Sequence, residues 1–256
     1  MITLAVYSNK GGVGKTTTAV NLAYLAAQGG ASTLICDLDP QSATTFFFRV
    51  KPKLKKKARG LVQTGDPIER SIKGTDYDNL DLLPADFTHR NLDINFDKLS
   101  RPRFQLHKVL ASLTTGYDLV FLDCPPTINI LAENIFNAAA YLVVPVTPTT
   151  LAVRTLEQLL DFLDQRDFDP ARVLPFFSMV DLRDRWQKRT AAAAYRQFAG
   201  LLRHPVPYLP VVEQMSAQRE PVAAFAPNSP AADYYRQLWQ EIQNHINPSE
   251  TAPARS

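Results

Sequence analysis

Short apolar runs alternate with amphipathic stretches along most of the chain. The apolar runs lie at residues 2–7, 32–36, 79–84, 117–123, 141–146, 172–180 and 206–210. Helical patterns lie at 15–28, from 42, and at 89–99, 103–113, 150–165, 190–202 and 231–246, with a charged turn at 181–189 and an irregular segment at 221–230. Runs that are apolar on both faces are typical of a parallel sheet covered by helices on each side. The pattern predicts an α/β fold with a mainly parallel twisted sheet flanked by helices on both faces.

A glycine-rich turn with two lysines follows the first apolar run and opens the first helix. It reads Lys-Gly-Gly-Val-Gly-Lys-Thr-Thr, from Lys10 to Thr17. Glycines let the backbone wrap closely around an anion, and the start of a helix favours phosphate. The pattern predicts a cradle in which Lys15 contacts the β- and γ-phosphates of a nucleotide and the Thr16 hydroxyl binds Mg²⁺. The predicted cradle residues are Gly11, Gly12, Val13, Gly14, Lys15, Thr16 and Thr17.

The cradle departs from the common P-loop pattern at one position. That pattern needs a glycine six residues before Lys15, where this chain has Asn9. A second lysine, Lys10, stands immediately before the double glycine. From the local sequence alone, Lys10 is a simple surface charge.

Carboxylates follow two of the apolar runs. Asp37 and Asp39 lie just after the second run, and Asp123 ends the run at 117–123. Because ligands bind at the carboxyl ends of parallel strands, we expect these side chains beside the cradle. Four apolar residues followed by Asp form a Walker B arrangement, in which Asp123 holds Mg²⁺ through a water. For Asp37 and Asp39, the sequence supports equally a role around the metal and its attacking water and a plain capped turn before a helix at Ser42.

Composition and cysteine usage bound the kind of protein. The chain has 256 residues, of which 45% are hydrophobic and 21% are charged, and a net charge of +3, which is ordinary for a globular protein. Cys36 and Cys124 lie in separate apolar runs, which indicates buried free thiols in a reducing compartment. The chain starts directly with a strand, and no apolar run approaches the ~20 residues that span a bilayer, so we expect a cytoplasmic protein. We expect one domain over residues 1–247 and a disordered tail at 248–256.

The largest compositional anomaly is a basic run at residues 49–59. It holds seven basic residues in eleven positions and no acid. Such a run is either an electrostatic footprint for nucleic acid or a solvated loop, and the sequence supports both equally. Since no aromatic residue lies within it, phosphate contact is favoured over base stacking. Its members are Arg49, Lys51, Lys53, Lys55, Lys56, Lys57 and Arg59.

Together these motifs resemble the ParA/MinD family of deviant-Walker ATPases, most closely its ParA partition branch. The resemblance rests on Lys10 to Thr17, Asp37-Leu-Asp-Pro-Gln41, Asn79-Leu-Asp-Leu-Leu-Pro-Ala85 and Asp118-Leu-Val-Phe-Leu-Asp-Cys-Pro-Pro126. The segment 221–238 is also similar to the family's closing segment, so the resemblance covers nearly the whole chain. It implies a P-loop NTPase fold with a deviant Walker A motif, ATP and Mg²⁺ as cofactors, and slow ATP hydrolysis to ADP and phosphate.

The resemblance implies roles that the local motifs leave open. Lys10 becomes a signature lysine that reaches across a homodimer interface to the nucleotide of the second subunit. A cation supplied in this way neutralises phosphate only in the dimer, so ATP binding and dimerisation stabilise each other. Asp39 positions or activates the attacking water, while Thr16 and, through water, Asp123 hold Mg²⁺. The adenine contacts implied by the resemblance are Ser178, Met179 and Pro210. Asp37 is expected in the outer shell of the metal from its place at the strand end and not from the resemblance.

The ParA branch also implies partners. Its members bind DNA non-specifically as ATP dimers, and a ParB-like or adaptor protein stimulates hydrolysis and release. A nucleoid-associated gradient then moves or spaces a cargo, which could be a plasmid, a chromosome or, for an McdA-like protein, the carboxysome. The chain lacks the extra N-terminal DNA-reading domain of some plasmid partition ATPases, so we do not expect repression at an operator.

The DNA face implied by the resemblance is altered in this chain. Family members carry arginines after the strand at 206–210 and before the last helix, where this chain has Val211-Val212-Glu213 and Pro227-Asn228-Ser229. We therefore expect the face to have shifted towards the lysine run. The candidate DNA contacts are Lys51, Lys53, Lys55, Lys56, Lys57, Arg59, Arg183, Arg185, Lys188, Arg189, Arg203 and Arg219.

Two other classes of function compete with this one. A MinD-like membrane-cycling ATPase needs a basic amphipathic helix at its extreme C-terminus, which residues 247–256 do not form. We expect the apolar side of the helix at 231–246 to pack on the sheet instead. A nitrogenase-like reductase would need cysteines for an iron–sulfur cluster, and Cys36 and Cys124 lie within the nucleotide-site strands. A small-molecule ligase is the remaining metabolic alternative.

Overall fold

The computed structural model describes residues 1–51, 68–85, 92–99, 101–113 and 116–247. Eight strands are present in this part of the chain and form one sheet. They are β1 (Ile2–Val6), β2 (Thr33–Asp37), β3 (Lys73–Gly74), β4 (Leu80–Leu83), β5 (Leu119–Asp123), β6 (Tyr141–Val146), β7 (Val173–Val180) and β8 (Val206–Pro207). Their order across the sheet is β3-β4-β2-β5-β1-β6-β7-β8. Neighbouring strands are parallel, except that β3 runs antiparallel to β4 at one edge.

Helices connect the strands and cover the sheet. They are α1 (Lys15–Gln28), α2 (Ala43–Phe47), α3 (Leu92–Asp97), α4 (Gln105–Ala111), α5 (Ile130–Ala138), α6 (Thr150–Asp164), α7 (Arg185–Gln197), α8 (Pro210–Glu213), α9 (Met215–Gln218), α10 (Val222–Phe225) and α11 (Pro230–Ile246). Turns of 3₁₀-helix lie at Ile68–Ser71 and Pro170–Arg172.

The core lies on both faces of the sheet. All five residues of β2 and of β5 are buried, because each strand is covered from both sides. One face packs against α1 and α11, where Trp239 lies on Phe121 with ring centroids 5.8 Å apart. The other face packs against α5 and α6, where Tyr7 contacts Phe136 edge-on. The predicted fold class is confirmed.

Helix α11 has the packing that its sequence predicts. Its apolar side, which includes Tyr235, Leu238, Trp239, Ile242 and Ile246, is buried against the sheet. In the described ranges, no helix is both long enough and apolar enough to cross a membrane. The two cysteines, Cys36 and Cys124, are buried and free, as expected.

The prediction of a charged turn at 181–189 and a helix at 190–202 is wrong in its bounds. Helix α7 begins at Arg185 and ends at Gln197. Asp184 caps it by accepting hydrogen bonds from the backbone N–H groups of Trp186 and Gln187. The charges therefore lie on the exposed first turns of a helix and not on a loop.

Other differences come from short elements. Helix α5 has no counterpart among the predicted helices, and Asn129 caps it by accepting from Leu131 and Ala132. The strand predicted at 206–210 ends at Pro207, and Pro210 opens α8 because proline suits the first position of a helix. The segment predicted to be irregular contains the short helix α10. The first residues of the helix predicted at 89–99 and the tail predicted at 248–256 fall outside the described residues.

Candidate nucleotide site

Three parallel strands end together at one edge of the sheet. Asp123, the last residue of β5, is in register with Val6 of β1 and with Asp37 of β2. The loop that joins β1 to α1 starts at this edge. The fold therefore brings the glycine-rich turn and two of the predicted carboxylates to one place.

Two of the three glycines of the turn occupy backbone conformations that other residues avoid. Gly12 and Gly14 have φ angles of 71° and 88°, in the left-handed region. A Cβ on Gly14 would also lie 3.1 Å from the Oγ atom of Ser178. Gly14 is the N-cap residue of α1, and its carbonyl accepts the first helical hydrogen bond, from the Thr18 N–H at 2.9 Å. Small residues are thus required where the chain turns into the helix.

Lys15 lies inside the turn. It is 7% exposed, and its Nζ atom donates to the backbone carbonyl of Lys10 at 3.0 Å. Burial lowers the pKa of Lys15, while the attraction of Asp123 opposes this shift. The side chain folds over the loop that it belongs to, so its ammonium group is already placed for an anion held there.

Asp123 has one satisfied and one unsatisfied oxygen. It is fully buried, and its Oδ2 atom accepts from the Thr44 hydroxyl at 2.7 Å. Its Oδ1 atom is buried without a hydrogen-bond partner among the described residues. Burial raises the pKa of Asp123 to about 7, and the nearby Asp37 adds to the rise. An oxygen of this kind fits a water in the shell of Mg²⁺, because Mg²⁺ prefers oxygen ligands and keeps several of its waters.

Asp37 is held by the start of α2. It is fully buried, and its Oδ2 atom accepts from the backbone N–H of Thr45 at 2.8 Å and from its hydroxyl at 2.7 Å. The Thr45 hydroxyl in turn accepts from the Ala85 N–H at 3.0 Å. Burial raises the pKa of Asp37 to about 6. These bonds make Asp37 part of a capped turn, and its role in the outer shell of a metal stays a prediction.

Asp39 lies between Asp37 and α2. It is half-buried, and its Oδ1 atom accepts from the Gln41 N–H at 2.9 Å while its carbonyl accepts from the Ser42 N–H at 2.9 Å. The turn places this carboxylate at the strand edge, next to the fully buried Asp37. Its proposed action on water also stays a prediction.

A cleft of about 240 Å³ adjoins the cradle on the side of β7. Ser178 and Met179, two of the predicted adenine contacts, line it, and Met179 has a left-handed φ of 57° beside a bulge in β7. Pro210, the third predicted adenine contact, is not among the residues that line the cleft, although Leu209 and Val212 on either side of it are. Its other lining residues are Gly14, Thr17, Phe47, Val206, Pro207, Tyr208, Glu213, Ser216 and Tyr235.

Some residues of the site were not predicted. Thr44 and Thr45 hold the two buried carboxylates, and the only sequence signal for them is a pair of hydroxyls shortly after the Asp-Leu-Asp turn. Tyr208 lines the cleft, and its hydroxyl donates to Glu213 at 3.0 Å. No motif marks Tyr208, because its position depends on how β8 pairs with β7.

The predicted DNA contacts lie in several places. Lys53, Lys55, Lys56, Lys57 and Arg59 fall outside the described residues, and Lys51 is exposed. Arg185, Lys188 and Arg189 are exposed on α7, and Arg183 just before it is paired with Asp181 at 3.1 Å.

Two other predicted contacts are engaged within the fold. The Arg203 guanidinium lies over the ring of Tyr195, at 4.9 Å from its centroid. The Arg219 guanidinium lies over Phe46 and donates to the Phe46 carbonyl at 3.0 Å. These contacts restrain Arg203 and Arg219 more than the exposed arginines of α7 are restrained.

Sequence comparison adds relatives over most of the chain. A family described as "AAA domain" matches residues 1–168. The sporulation initiation inhibitor protein Soj of Bacillus subtilis is 26% identical over 245 residues, which are 93% of this chain and 97% of that protein. The chromosome-partitioning ATPase Soj of Thermus thermophilus is 32% identical over 250 residues, which are 95% of this chain and 96% of that protein.

Solved structures share the fold. Cobyrinic acid a,c-diamide synthase from Mycobacterium smegmatis, with bound ADP and magnesium, has a TM-score of 0.82 and 25% identity, covering 100% of this chain and 99% of that one. Apo McdA of Cyanothece has a TM-score of 0.82 and 23% identity, covering 94% of this chain and 99% of that one. Proteins with different names thus share this fold, so the fold alone does not select a function.

Fold and cradle together define an ATPase of the P-loop class. The matched residues place the chain more narrowly: it belongs to this AAA-domain family, and within it to the ParA/MinD ATPases, closest to the ParA type.

We expect Asp123→Asn to stabilise the nucleotide-free protein at pH 8 by roughly 1–3 kcal/mol and to change little at pH 5. The pKa of Asp123 is raised in the fold from 3.8 to about 7. The folded chain therefore binds more protons than the unfolded chain between these values, and wild-type stability falls as the pH rises through them. Asparagine removes the buried charge and can still accept from Thr44.

The measurement is chemical denaturation of wild type and variant at both pH values. Asp97→Asn, a neutralisation at an exposed position, is the control and should show no such difference. Destabilisation of the Asp123 variant at pH 8 would contradict the expectation.

Proposed function

We propose that this chain is a Mg²⁺-dependent ATPase that dimerises when it binds ATP, binds DNA without sequence preference as that dimer, and positions or segregates a cargo. A partner protein that stimulates slow hydrolysis would then release it from DNA. The cargo is a plasmid, a chromosome or a protein organelle such as the carboxysome. The name of the Thermus thermophilus relative, a chromosome-partitioning ATPase, supports this direction.

The contrast between the two lysines of the cradle carries the proposal. Lys15 is buried and bonded within its own loop. Lys10 is half-buried at the sheet edge, and its ammonium group has no hydrogen bond or ion pair with the described part of the chain. The Lys10 ammonium group lies beside the phosphate site but makes no polar contact within its own subunit. It is therefore suited to contact a nucleotide held by a second subunit. Such a contact would exist only in the dimer.

ATP and Mg²⁺ fit the residues at this edge. The triphosphate would lie in the cradle, with the adenine in the cleft beside Ser178 and Met179. The Thr16 hydroxyl and, through water, the unsatisfied Oδ1 atom of Asp123 would hold the metal. When bound, Mg²⁺ neutralises charge on the β- and γ-phosphates. Lys15 adds a fixed positive charge on the same phosphates.

Hydrolysis needs a group that orients a water for in-line attack on the γ-phosphorus, opposite the leaving ADP. Asp39 is the carboxylate best placed for this, because both oxygens of Asp37 already accept hydrogen bonds, from Thr45 and from the Asp39 N–H, and Asp123 would face the metal. The bonds from Gln41 and Ser42 fix the turn that carries Asp39. A carboxylate that orients water without a strong base beside it is consistent with slow turnover.

Dimerisation links the nucleotide to DNA. Each subunit presents exposed cations on α7 and at Lys51. One such surface would bind DNA weakly. When two are joined, binding of the first holds the second at a high effective concentration near the DNA, so the dimer binds with higher affinity. ATP would thus switch DNA binding through the number of joined subunits, without any change within the DNA contacts.

Co-sedimentation with random-sequence DNA and with anionic liposomes, each with ATP, ADP or no nucleotide, tests the proposal. We expect the chain to bind DNA with ATP and Mg²⁺ but not with ADP, and not to bind liposomes. Binding should weaken steeply as salt increases, because phosphate contacts release counterions.

Lys10→Gln is the matched control for the dimer. It should still bind ATP but remain monomeric by light scattering, and its DNA binding should lose its dependence on ATP. ATP-dependent liposome binding without DNA binding would instead support the MinD-like alternative and contradict the proposal.

A further inference from the structure

Helix α7 presents an exposed tryptophan among cations. Trp186 is 74% exposed, which is unusual for so large an apolar side chain on a protein surface. Arg185, Arg189 and Arg196 lie on the same helical face, because they follow one another at spacings of four and seven. The helix itself, RWQKRTAAAAYRQ, contains four basic residues and no acid.

One face of the Trp186 ring remains open. The Arg189 guanidinium carbon lies 5.5 Å from the ring centroid, so it restrains the indole against the helix. Because the side chain is 74% exposed, this contact covers only part of it. Leu182, just before the helix, is also 50% exposed. An exposed aromatic ring beside one arginine, on a helix that carries further cations, is suited to stack on a base while the cations bind phosphates.

The composition of α7 favours nucleic acid over a membrane. A helix that lies in a membrane surface needs a broad free apolar face. The apolar side of α7 is instead turned into the protein, where Ala194 is buried and Tyr195 packs on Phe177 at 5.4 Å. What remains outside is cationic, with Trp186 as its single large apolar group within the helix.

We propose that α7 is a nucleic-acid surface on which Trp186 stacks on an unpaired base, so that the chain binds single-stranded DNA in addition to duplex. This inference extends the proposed DNA binding to single strands. It rests on the proposed function only for the expectation that ATP affects the binding. The surface lies close to the cleft proposed for the nucleotide: Met179 in the cleft is six residues before Arg185, and the Asp181 N–H donates to Gln187 of α7 at 2.9 Å. Phosphate contacts alone would bind duplex and single-stranded DNA equally well. Stacking of the Trp186 indole on an unpaired base adds affinity for the single strand only.

The test compares wild type with Trp186→Ala and Trp186→Phe for binding to a fluorescent oligo(dT) and to a random duplex, with and without ATP. We expect the alanine variant to bind oligo(dT) on the order of tenfold more weakly and duplex within about twofold of wild type. Phenylalanine should restore most of the oligo(dT) affinity because it also stacks. Phe104→Ala, which removes an aromatic side chain that is 50% exposed elsewhere, should change neither affinity.

Tryptophan fluorescence gives a second readout. The chain has two tryptophans, and Trp239 is 6% exposed, so quenching by a bound base reports on Trp186. We expect oligo(dT) to quench the emission of wild type but not of Trp186→Phe, and heparin, a polyanion without bases, to leave it nearly unchanged.

The outcomes separate this inference from the proposed function. If wild type binds duplex with ATP but the alanine variant binds oligo(dT) equally well, the inference fails and the proposed function stands. If binding to oligo(dT) depends on Trp186 while ATP has no effect on duplex binding, the inference stands and the proposed function fails. Trp186-dependent binding to anionic vesicles without binding to oligo(dT) would overturn the inference in favour of a membrane surface.

Discussion

We expect Lys15→Ala to abolish measurable ATP binding, with a loss of affinity of at least about a hundredfold. The ammonium group of Lys15 is the buried cation of the cradle and already lies over the loop, bonded to the Lys10 carbonyl. It therefore meets the phosphates without the cost of ordering a long side chain. Removal of the amine takes away a charge-assisted contact in a site where few waters can replace it. Titration of a fluorescent ATP analogue in the presence of Mg²⁺ measures the effect.

Two further variants show whether the cradle itself is responsible. Lys15→Gln keeps length and polarity but lacks the charge, so it should lose nearly as much affinity as alanine. Lys10→Ala should keep ATP affinity within a few-fold, because the Lys10 ammonium group makes no hydrogen bond or ion pair with the described part of its own chain. Retained affinity in Lys15→Ala, with unchanged thermal stability, would remove this lysine from the site.

Much of the cradle could be predicted because its signals are local. Helix α1 has the predicted bounds, since Gly14 and Gly29 mark its two ends and an apolar run precedes it. Glycines at left-handed positions, a lysine and a hydroxyl residue occur within eight consecutive positions. The same holds for Asp123, which ends a strand whose apolar residues are continuous. Burial on both faces of the sheet produces these continuous runs, so the pattern and the fold have one cause.

Other parts could not be predicted because they depend on contacts between distant segments. The cleft joins residues near 14, 47, 178 and 208, which only the strand order brings together. Thr44 contacts Asp123 across 79 positions of sequence. The sequence pattern predicts the start of α7 too late, because Asp184 is one charge among many there and only the structure shows that it caps the helix. A cap is visible in a sequence only when the helix after it is already recognised.

Helix α2 joins the carboxylates to the far side of the site. At one end, Thr44 and Thr45 bind Asp123 and Asp37. At the other end, Phe47 lines the cleft and the Phe46 carbonyl accepts from Arg219. Because α2 is hydrogen-bonded at both ends, the turn before it has little freedom. The Asp39 carboxylate in that turn is therefore fixed in position.

The fixed position of Asp39 leads to a prediction about the rate of ATP hydrolysis. Asp39→Ala should slow ATP hydrolysis by roughly 10²–10⁴-fold, the range typical of a general base or water-orienting group. ATP affinity should change little, because Lys15 and the glycine turn are untouched. An enzyme that binds ATP but rarely hydrolyses it should accumulate as the ATP-bound dimer. Single-turnover phosphate release and light scattering in the presence of ATP measure these two effects.

Asp39→Asn separates the chemistry of the carboxylate from its role in the turn. The Oδ1 atom of Asp39 accepts from the Gln41 N–H at 2.9 Å, and the oxygen of asparagine can keep that bond. If the carboxylate acts on water, the asparagine variant hydrolyses ATP as slowly as the alanine variant. If Asp39 only stabilises the turn before α2, asparagine restores turnover. Unchanged turnover in both variants would leave Asp39 outside the mechanism. Asp37 and Asp123 keep their bonds to Thr45 and Thr44 in either variant, so such a result could not be assigned to loss of those contacts.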